Sequence, residues 1–378
     1  MKILQIHNEY LYYGGEDAVV DEEANLLRKN GHDVIQLLRK NKNETLGFRN
    51  KFKTALNLSF SSKSLDILNK KLHEIEKPDI AHVHNIFPLW SYSIFKLLNE
   101  KRIPIVMTLH NYRLAWCNLS LFDNNYANYG YFKNSRIKTF LLSKIINKNK
   151  NFLDYVDKFV ALTEFTKNKF VEANIPENKL VIKPNFLSDK KVNFKKINEK
   201  KNAIFASRIS KEKGILTLLK SWKNIDLKIN IYGDGPLYDK IKINSNNVQF
   251  HGNCSRVTVS SEIKNSKFLI FPSEWYECMP MTILESFREG TLVLASNIGS
   301  IKSIIKDKYN GVLFNPYDPD DILNKVKWVL NNPKKCDEIV INAMNDFKNF
   351  YSEEVNYKLL LKIYEEIINK KVYNENCN

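Results

Sequence analysis

The chain has 378 residues, of which 43% are hydrophobic and 26% are charged, and its formal net charge is +16. This length allows two domains of ordinary size, and the composition suits a soluble globular protein. No apolar run reaches the roughly 18 residues that a membrane-spanning helix needs, and the N-terminus lacks the apolar core and cleavage site of a signal peptide. We therefore expect a cytoplasmic protein.

The pattern of the cysteines argues against a disulfide-rich or zinc-binding protein. The chain contains five, and they are scattered without any paired spacing. A disulfide framework or a zinc site is therefore not expected.

Short strands rich in Val, Ile and Leu alternate with amphipathic helices through the first half of the chain. Helices are predicted over Asp17–Lys29, Ser91–Glu100 and Glu164–Glu172. The predicted strands are Lys2–His7, Asp33–Leu38, Ile80–His84, Ile105–His110, Lys158–Leu162 and Leu180–Lys183. This alternation is typical of a mostly parallel, doubly wound sheet.

The alternation stops at a polar stretch rich in Lys and Asn and then restarts. Strands are predicted over Ala203–Ser207, Leu227–Tyr232, Lys267–Phe271, Leu292–Ala295 and Val312–Asn315. Helices are predicted over Ile215–Lys223, Met281–Glu289, Asp320–Leu330, Lys334–Asn349 and Glu354–Asn369. The pattern predicts an α/β protein with an N-terminal Rossmann-like domain over 1–185, a linker over 186–201 and a C-terminal Rossmann-like domain over 202–350. Residues 351–378 are predicted to form a C-terminal helix that returns to the N-terminal domain.

Polar and glycine-rich residues follow many of the predicted strands. Gly14, Gly15 and Glu16 follow the first strand, and His110 ends another. In parallel sheets, ligands bind beyond the carboxyl ends of the strands. Glycine lets the backbone approach a ligand closely, and a histidine there could donate a hydrogen bond to a sugar. An ordinary tight turn and a structural histidine are the alternative interpretations.

The most informative segment runs from Phe271 to Glu285. It predicts a buried strand, a short polar loop and a helix that begins after Pro280. The helix N-terminus suits an anion such as a phosphate. Glu277 and Glu285 cannot serve a phosphate, but their carboxylates can accept hydrogen bonds from the hydroxyls of a sugar or a ribose. Phosphate and hydroxyls together indicate a nucleotide sugar.

Two basic residues follow a strand of the second half. Arg208 and Lys213 flank a loop that ends at Gly214, and such a pair could neutralise a diphosphate leaving group. Lys211 is a competing choice, but the glycine directly after Lys213 favours Lys213. The turn at Gly233 after the next strand is either a ligand contact or purely structural.

With these motifs, the chain resembles glycosyltransferase family 4 over nearly its whole length. Glu277 and Glu285 match its E-x₇-E motif, and Arg208 and Lys213 match its basic pair. The glycines after the first strand and the histidine at a later strand end match as well. The segments Gly-Gly-Glu-Asp17 and His-Asn-Tyr-Arg113 look most like the branch that builds capsule, exopolysaccharide and O-antigen. Many relatives have Gly or Phe-Gly after the first glutamate, whereas this chain has Cys278, Met279 and Pro280.

The resemblance implies two facing Rossmann-like domains, the GT-B architecture, and a retaining transfer of a sugar from a nucleoside diphosphate to an acceptor hydroxyl. It implies that Arg208 and Lys213 bind the diphosphate and that Glu285 accepts from the ribose. Glu277 would hold the donor sugar, with His110 beside it and Gly15 near the phosphates. The implied donor-binding residues are Gly14, Gly15, Gly233, Cys278, Met279, Pro280, Met281 and Glu285. The nucleotide sugar is a co-substrate, and no cofactor or metal is expected, because no Asp-x-Asp site stands near the donor loop.

The acceptor is expected to be a glycan or a lipid-linked molecule. Arg39–Lys53 and Lys133–Lys150 each hold six basic residues, and such segments can lie on the anionic inner face of the plasma membrane. A solvated helix face is the alternative. Other candidate functions are a sugar-nucleotide epimerase or a phosphorylase of the same architecture. A basic nucleic-acid-binding protein is a further alternative, but no signature of one accompanies the charge, so nucleic acid is not an expected partner.

Overall fold

The computed structural model describes residues 1–10, 14–40, 60–112, 152–190, 192–242 and 245–376, with side chains as far as residue 371. The chain divides into two compact units. The first comprises Met1–Lys183 together with Tyr357–Asn378, and the second is the continuous segment Pro184–Asn356. The chain therefore leaves the first unit once and returns to it at the end.

The first unit contains a six-stranded sheet in the order β2-β1-β3-β4-β5-β6, and every neighbouring pair in it is parallel. Its strands are β1 Lys2–Glu9, β2 Asp33–Lys40, β3 Ile80–Val83, β4 Ile105–Thr108, β5 Lys158–Ala161 and β6 Leu180–Ile182. Its described helices before the second unit are α1 Gly15–Lys29, α2 Ser62–Glu74, α3 Ser93–Glu100, α4 Phe152–Tyr155 and α5 Glu164–Glu172. Strands β3 and β4 are buried at every position, which explains why they are mostly apolar, with His82 and Thr108 as buried polar residues.

The second unit contains another six-stranded sheet, in the order β12-β11-β10-β7-β8-β9, and its pairs are also parallel. Its strands are β7 Ala203–Ala206, β8 Ile229–Tyr232, β9 Val248–Gly252, β10 Phe268–Phe271, β11 Leu292–Ser296 and β12 Val312–Phe314. Its helices are α6 Ile215–Trp222, α7 Tyr238–Ile241, α8 Arg256–Asn265, α9 Met281–Arg288, α10 Ile301–Ile304, α11 Pro319–Asn331 and α12 Pro333–Asp346. This strand order is that of a Rossmann sheet.

The last helix, α13, spans Glu353–Asn376 and completes the core of the first unit. Its residues Leu360, Ile363, Tyr364 and Ile367 form one buried apolar cluster with β-sheet residues that include Ile3. A separate cluster fills the second unit, where Trp222 is fully buried. Each unit thus has a hydrophobic core of its own.

The strand order reverses once in each sheet, and these two points are where an open parallel sheet forms a crevice for a ligand. In the first unit the reversal lies between β1 and β3. In the second unit it lies between β7 and β10, which are direct neighbours in the sheet. The loops after β7 and β10 carry Arg208 and Glu277, so the sheet topology brings these two predicted site residues to one edge.

The predicted alternation of strands and helices is confirmed, with some elements missed. Strand β9 was not predicted, because its sequence Val-Gln-Phe-His-Gly follows a polar, Asn-rich stretch and is only partly buried. Helices α2 and α8 were also missed, and α8 has a weak apolar stripe, with only Ser260 and Ile263 buried. The predicted helix over Lys334–Asn349 is α12, which ends at Asp346 and is followed by a π-helical turn over Phe347–Tyr351.

The stretch predicted as a linker, 186–201, lies inside the second unit. Phe186 and Leu187 are buried, and Leu187 N donates to Tyr351 O. Further on, Lys200 is buried and its Nζ donates to Gly290 O and Thr291 Oγ1. Burial lowers the pKa of Lys200 to about 8. Polar composition concealed this packing, because the lysine is anchored by hydrogen bonds rather than by apolar contact.

Candidate active site

Arg208 lies two residues after the end of β7. The residue is exposed, whereas the next residue, Ile209, is completely buried. Within the described parts of the chain, the Arg208 side chain has no recorded hydrogen bond or ion pair. A guanidinium in this state is available to bind an anion with its planar fork.

Two glycines after β8 support the loop that carries Arg208. A Cβ on Gly233 would lie 2.0 Å from Ser207 O, and a Cβ on Gly235 would lie 2.5 Å from Ile209 O. Both glycines therefore touch the backbone on either side of Arg208. The predicted role of Gly233 in donor binding stays a prediction. Its close packing against the backbone already explains why a glycine is needed at this position.

Gly214 brings Lys213 close to the loop after β10. It has φ +69°, and a Cβ there would lie only 1.8 Å from Pro272 O. Any other residue would push the two loops apart. The close approach places Lys213 Nζ 2.5 Å from Glu277 Oε1. The residues singled out from the two separate motifs are thus in direct contact, and this contact favours Lys213 over the exposed Lys211.

Glu277 is held from two sides. Besides the ammonium group of Lys213, the hydroxyl of Ser273 donates to the same Oε1 at 2.8 Å. The side chain of Glu277 is 15% exposed and that of Lys213 is 22% exposed, so the pair is sheltered but open to a ligand. Sequence analysis missed Ser273, although it lies in the predicted loop.

Glu285 lies in α9 and is nearly buried. Its Oε1 accepts a hydrogen bond from Nε of Arg256, the first residue of α8, at 3.0 Å. Sequence analysis missed this arginine, because it belongs to a helix that was not predicted. The pairing holds one carboxylate oxygen of Glu285 and fixes the orientation of the other.

The residues between the two glutamates form the entry to α9. Cys278 and Met279 are buried, and Met279 Sδ accepts from the amide of Asn185 at 3.1 Å. Pro280 immediately precedes the helix, which begins at Met281. The first N–H groups of such a helix carry a partial positive charge, as the sequence predicted for this position.

In the first unit, Gly14 and Gly15 lie at the start of α1, as predicted. Gly14 precedes the helix, and its amide donates to Asp17 Oδ2 at 2.8 Å. The other oxygen, Oδ1, accepts from Tyr10 N and lies 2.9 Å from His7 Nε2. Burial would raise the pKa of Asp17, but the hydrogen bonds from His7, Gly14 and Tyr10 lower it overall. Asp17 therefore fixes the glycine turn against β1.

Glu16 faces the segment after β4. Its Oε2 accepts from the hydroxyl of Tyr10 at 2.7 Å and lies 3.5 Å from Nδ2 of Asn111. This contact joins the glycine turn to the residue next to His110. Arg113 and most of the two basic stretches, Arg39–Lys53 and Lys133–Lys150, lie outside the described residues.

His110 belongs to a buried group of polar residues under the same sheet edge. Its Nε2 lies 3.0 Å from His84 Nδ1, and His84 Nε2 lies 3.5 Å from Glu23 Oε1. The same Glu23 oxygen is 2.9 Å from His82 Nδ1, and Glu23 Oε2 is 3.1 Å from Lys183 Nζ. Burial would raise the pKa of Glu23, but Lys183 and His82 hold it well below its usual value.

Glu23, His82 and His84 offer ligand atoms within 4.8 Å of one another, which is a spacing that a metal ion could use. The surroundings do not fit a cation. The ammonium of Lys183 already contacts the carboxylate, and His82 Nδ1 also lies 2.7 Å from the hydroxyl of Tyr364. A metal would have to displace these contacts and sit beside a buried positive charge. The group is better described as a hydrogen-bonded network.

Glu23 could have been singled out from the sequence. It occurs on the apolar face of α1, three residues after Val20 and four before Leu27, both of which are buried. An acid at such a position needs a partner.

Among the described helices, none combines the length and the apolar character that crossing a bilayer requires.

Comparison with known proteins extends these observations. Residues 13–191 match the family model "Glycosyltransferase Family 4", and residues 188–346 match "Glycosyl transferases group 1". An uncharacterised glycosyltransferase of Methanocaldococcus jannaschii is 26% identical over 314 residues, 79% of each chain. An uncharacterised 41.2 kDa protein from a cps region of Klebsiella pneumoniae is 27% identical over 328 residues, 79% of this chain and 84% of that protein.

The name of a third relative specifies a reaction. This relative is a Campylobacter jejuni α-1,4-N-acetyl-D-galactosaminyltransferase named for an undecaprenol-PP-linked glycan, 28% identical over 208 residues, 52% of this chain and 57% of that protein. Among solved structures, Anabaena HepE in complex with UDP matches 96% of this chain and 99% of its own, with a TM-score of 0.66 and 13% identity. That structure supports the GT-B fold. The two family models together cover most of the sequence, and the chain belongs to glycosyltransferase family 4.

Proposed function

We propose that this enzyme is a retaining glycosyltransferase that moves a sugar from a nucleoside-diphosphate sugar to an acceptor hydroxyl in the assembly of a cell-surface polysaccharide. The main support is the contact between Lys213 and Glu277, together with the exposed Arg208 in the same loop as Lys213. The three side chains follow strands at the point where the order of the second sheet reverses, the usual position of a nucleotide in such sheets. The relative from the cps region supports the polysaccharide context.

In this function, Arg208 and Lys213 bind the diphosphate and stabilise the negative charge that grows on it as the sugar leaves. Preorganised positive groups are the largest catalytic contribution of this kind of site, and the loss of one donor costs about 10²–10³ in rate. Glu277 is held by Ser273 and Lys213 so that its carboxylate accepts from hydroxyls of the donor sugar. Glu285, held by Arg256, accepts from the ribose.

Retention needs no separate nucleophile in this proposal. The acceptor hydroxyl attacks on the face from which the diphosphate departs, and a phosphate oxygen takes the proton of the hydroxyl as the new bond forms. The two carboxylates serve as hydrogen-bond acceptors for hydroxyls. A glycosidase would instead need its two acids on either side of one bond.

The experiment is a thermal-shift screen of the full chain against UDP-, GDP-, ADP- and dTDP-linked sugars. A bound donor at a hundredfold excess over its Kd stabilises the folded protein by about 2.7 kcal/mol. The best donor is then used for transfer, and the anomeric configuration of the product is read by NMR. Stabilisation by no nucleotide sugar would contradict the proposed donor class, and inversion at the anomeric carbon would contradict retention.

We further propose that transfer needs no metal. The positive charge of Arg208 and Lys213 replaces the cation that a metal-dependent enzyme would use to bind a diphosphate. The measurement is the transfer rate with and without EDTA. Loss of activity in EDTA and its return with Mn²⁺ would show the opposite.

The proposed acceptor is a glycan or a lipid-linked molecule, supported by the undecaprenol-PP-linked substrate in the name of the Campylobacter relative. A lipid-linked acceptor places the enzyme at the inner face of the plasma membrane as a peripheral protein. Liposome flotation with and without anionic lipid tests this location. Equal and salt-insensitive flotation in both cases would count against it.

A further inference from the structure

The buried network around His110 determines which of its ring nitrogens carries the proton. His84 and His110 are neutral near pH 7, because burial is the largest of the effects that lower the pKa of His84 to about 3 and that of His110 well below 6.5. Each ring therefore has one N–H donor and one bare acceptor. The contacts of His84 decide how these are distributed.

Glu23 determines which ring nitrogen of His84 carries the proton. The Glu23 carboxylate is ionised and can only accept, and its Oε1 lies 3.5 Å from His84 Nε2. A proton on that nitrogen faces the negative charge favourably. The opposite tautomer would point a nitrogen lone pair at a buried carboxylate, which is costly in a site of low dielectric constant. His84 therefore carries its proton on Nε2 and leaves Nδ1 bare.

The tautomer of His84 sets that of His110. His84 Nδ1 can only accept, so His110 Nε2, at 3.0 Å, must donate to it. The proton of His110 is thus on Nε2, and its Nδ1 is bare. The His110 side chain is partly exposed, and the hydrogen bond of its ring within the described segments is the one from Nε2 to His84.

We propose that Glu23 and His84 are positioning residues that hold His110 in the Nε2-protonated form, so that its bare Nδ1 accepts a hydrogen bond from a hydroxyl of the bound sugar. This inference rests on the proposed function for the identity of the ligand. It reverses the direction of the hydrogen bond expected from the sequence, in which His110 donates. A sugar that lacks the hydroxyl at this position would leave Nδ1 without a partner and would bind less well.

Lys183 and His82 act on Glu23. Lys183 Nζ binds the second carboxylate oxygen at 3.1 Å, and His82 Nδ1 lies 2.9 Å from the first. Both contacts keep the carboxylate ionised despite its complete burial. Lys183, Glu23, His84 and His110 thus form a chain of polar contacts in which each donor and each acceptor is fixed. The chain runs from the buried ammonium group to the partly exposed ring of His110.

The test is NMR of the full chain labelled with ¹⁵N-histidine, without any substrate. The chain contains seven histidines, and the variant His110→Asn identifies the signal of His110. Long-range proton–nitrogen correlations at pH 7 are expected to show one tautomer, with the proton on Nε2. A proton on Nδ1, or on both nitrogens, would overturn the proposal.

The variant Glu23→Gln tests whether Glu23 causes the tautomer preference of His110. A glutamine amide can donate or accept, so His110 is expected to become a mixture of the two tautomers, whereas the exposed control Glu100→Gln keeps one. A single unchanged tautomer in a folded Glu23→Gln protein would overturn the role of Glu23. If this variant does not fold, the wild-type spectrum still decides the tautomer.

Addition of the donor separates this inference from the proposed function. The nucleotide sugar that stabilises the protein most in the screen is expected to shift the Nδ1 signal, while its nucleotide alone does not. Binding without a shift would overturn the hydroxyl contact only. The predicted tautomer without binding of any nucleotide sugar would overturn the proposed function but support the network.

Discussion

Nζ of Lys213 lies 2.5 Å from Oε1 of Glu277, although the two residues are 64 positions apart in the sequence. One comes from the loop after β7 and the other from the loop after β10, and Gly214 allows these loops to touch. The carboxylate orients the ammonium group while both side chains remain partly exposed. A basic residue for phosphate and an acidic residue for hydroxyls are thereby placed side by side.

The first prediction concerns Lys213. Replacement Lys213→Ala is expected to lower kcat/KM for transfer by about 10²–10³, because it removes a preorganised positive group from the departing diphosphate. The measurement is the initial rate of transfer from the best donor of the screen. Lys211→Ala is the matched control, since Lys211 is exposed two residues away and its loss should leave the rate nearly unchanged. Equal losses in both variants would contradict the assignment.

The second prediction concerns Gly214. Both Gly214 and Gly31 have positive φ, +69° and +80°, but a Cβ would meet Pro272 O at 1.8 Å in the first case and nothing within 4 Å in the second. Gly31→Ala is expected to cost about 1–2 kcal/mol of backbone strain. Gly214→Ala adds the displacement of two loops, so its free energy of unfolding should fall further.

Urea denaturation of the two glycine variants measures this difference, and donor binding should weaken only in Gly214→Ala. Equal losses of stability in the two variants would mean that the loops separate without cost. The close approach would then not be needed to hold Lys213 beside Glu277.

The third prediction concerns Arg256. Arg256→Gln is expected to raise KM for the donor about tenfold with little change in kcat, because a hydrogen bond to a charged group contributes about 1.5 kcal/mol and Glu285 loses its orientation without it. Steady-state kinetics with varied donor give both constants. Lys264→Gln on the same helix is the control. A fall in kcat at constant KM would place Arg256 in the chemical step instead.

The fourth prediction concerns pH. The pKa of His84 is about 3 in the folded protein against 6.5 for an ordinary histidine. Below pH 6.5 the unfolded chain binds a proton that the folded chain does not, so stability is full at higher pH and is lost as the pH falls. The expected loss for this histidine is about 1 kcal/mol per pH unit between pH 6 and pH 5.

His110, whose pKa is also lowered, adds a change of the same sign. Urea unfolding between pH 8 and pH 5 measures the combined slope, in a window above the usual titration of Asp17 and Glu23. His84→Asn should reduce the slope. A free energy of unfolding that stays constant from pH 8 to pH 5 would contradict the lowered pKa values of His84 and His110.

The fold could be predicted from the sequence because several strands are short runs made up largely of apolar residues. The segments Ile105–Thr108 and Phe268–Phe271 are buried at every position, so their composition alone distinguishes them. Strand β9 was not predicted because Gln249 and His251 are not buried, so the strand is not a continuous apolar run. It lies at the edge of the sheet, where fewer side chains are buried. The polar composition of 186–201 does not reveal that Lys200 is buried, because Gly290 O and Thr291 Oγ1 accept hydrogen bonds from its ammonium group.

The site could be predicted only in part. Motif spacing identified Lys213 and Glu277, but their mutual contact depends on a strand order that spacing does not contain. Arg256 reaches Glu285 from a helix without a clear apolar stripe, so no sequence signal linked the two. The network behind His110 combines β3, β4, α1 and the residue after β6, and such long-range polar pairing is visible only after folding.

The return of α13 to the first unit has a consequence for biosynthesis. Residues up to Lys183 leave the ribosome long before Leu360 and Tyr364, which belong to the first core. The Tyr364 hydroxyl also contacts His82. The second unit is continuous in the chain and can complete its core earlier. Although it is translated later, it is the part expected to mature first, while the N-terminal half waits for the end of translation and exposes an apolar surface that chaperones can bind.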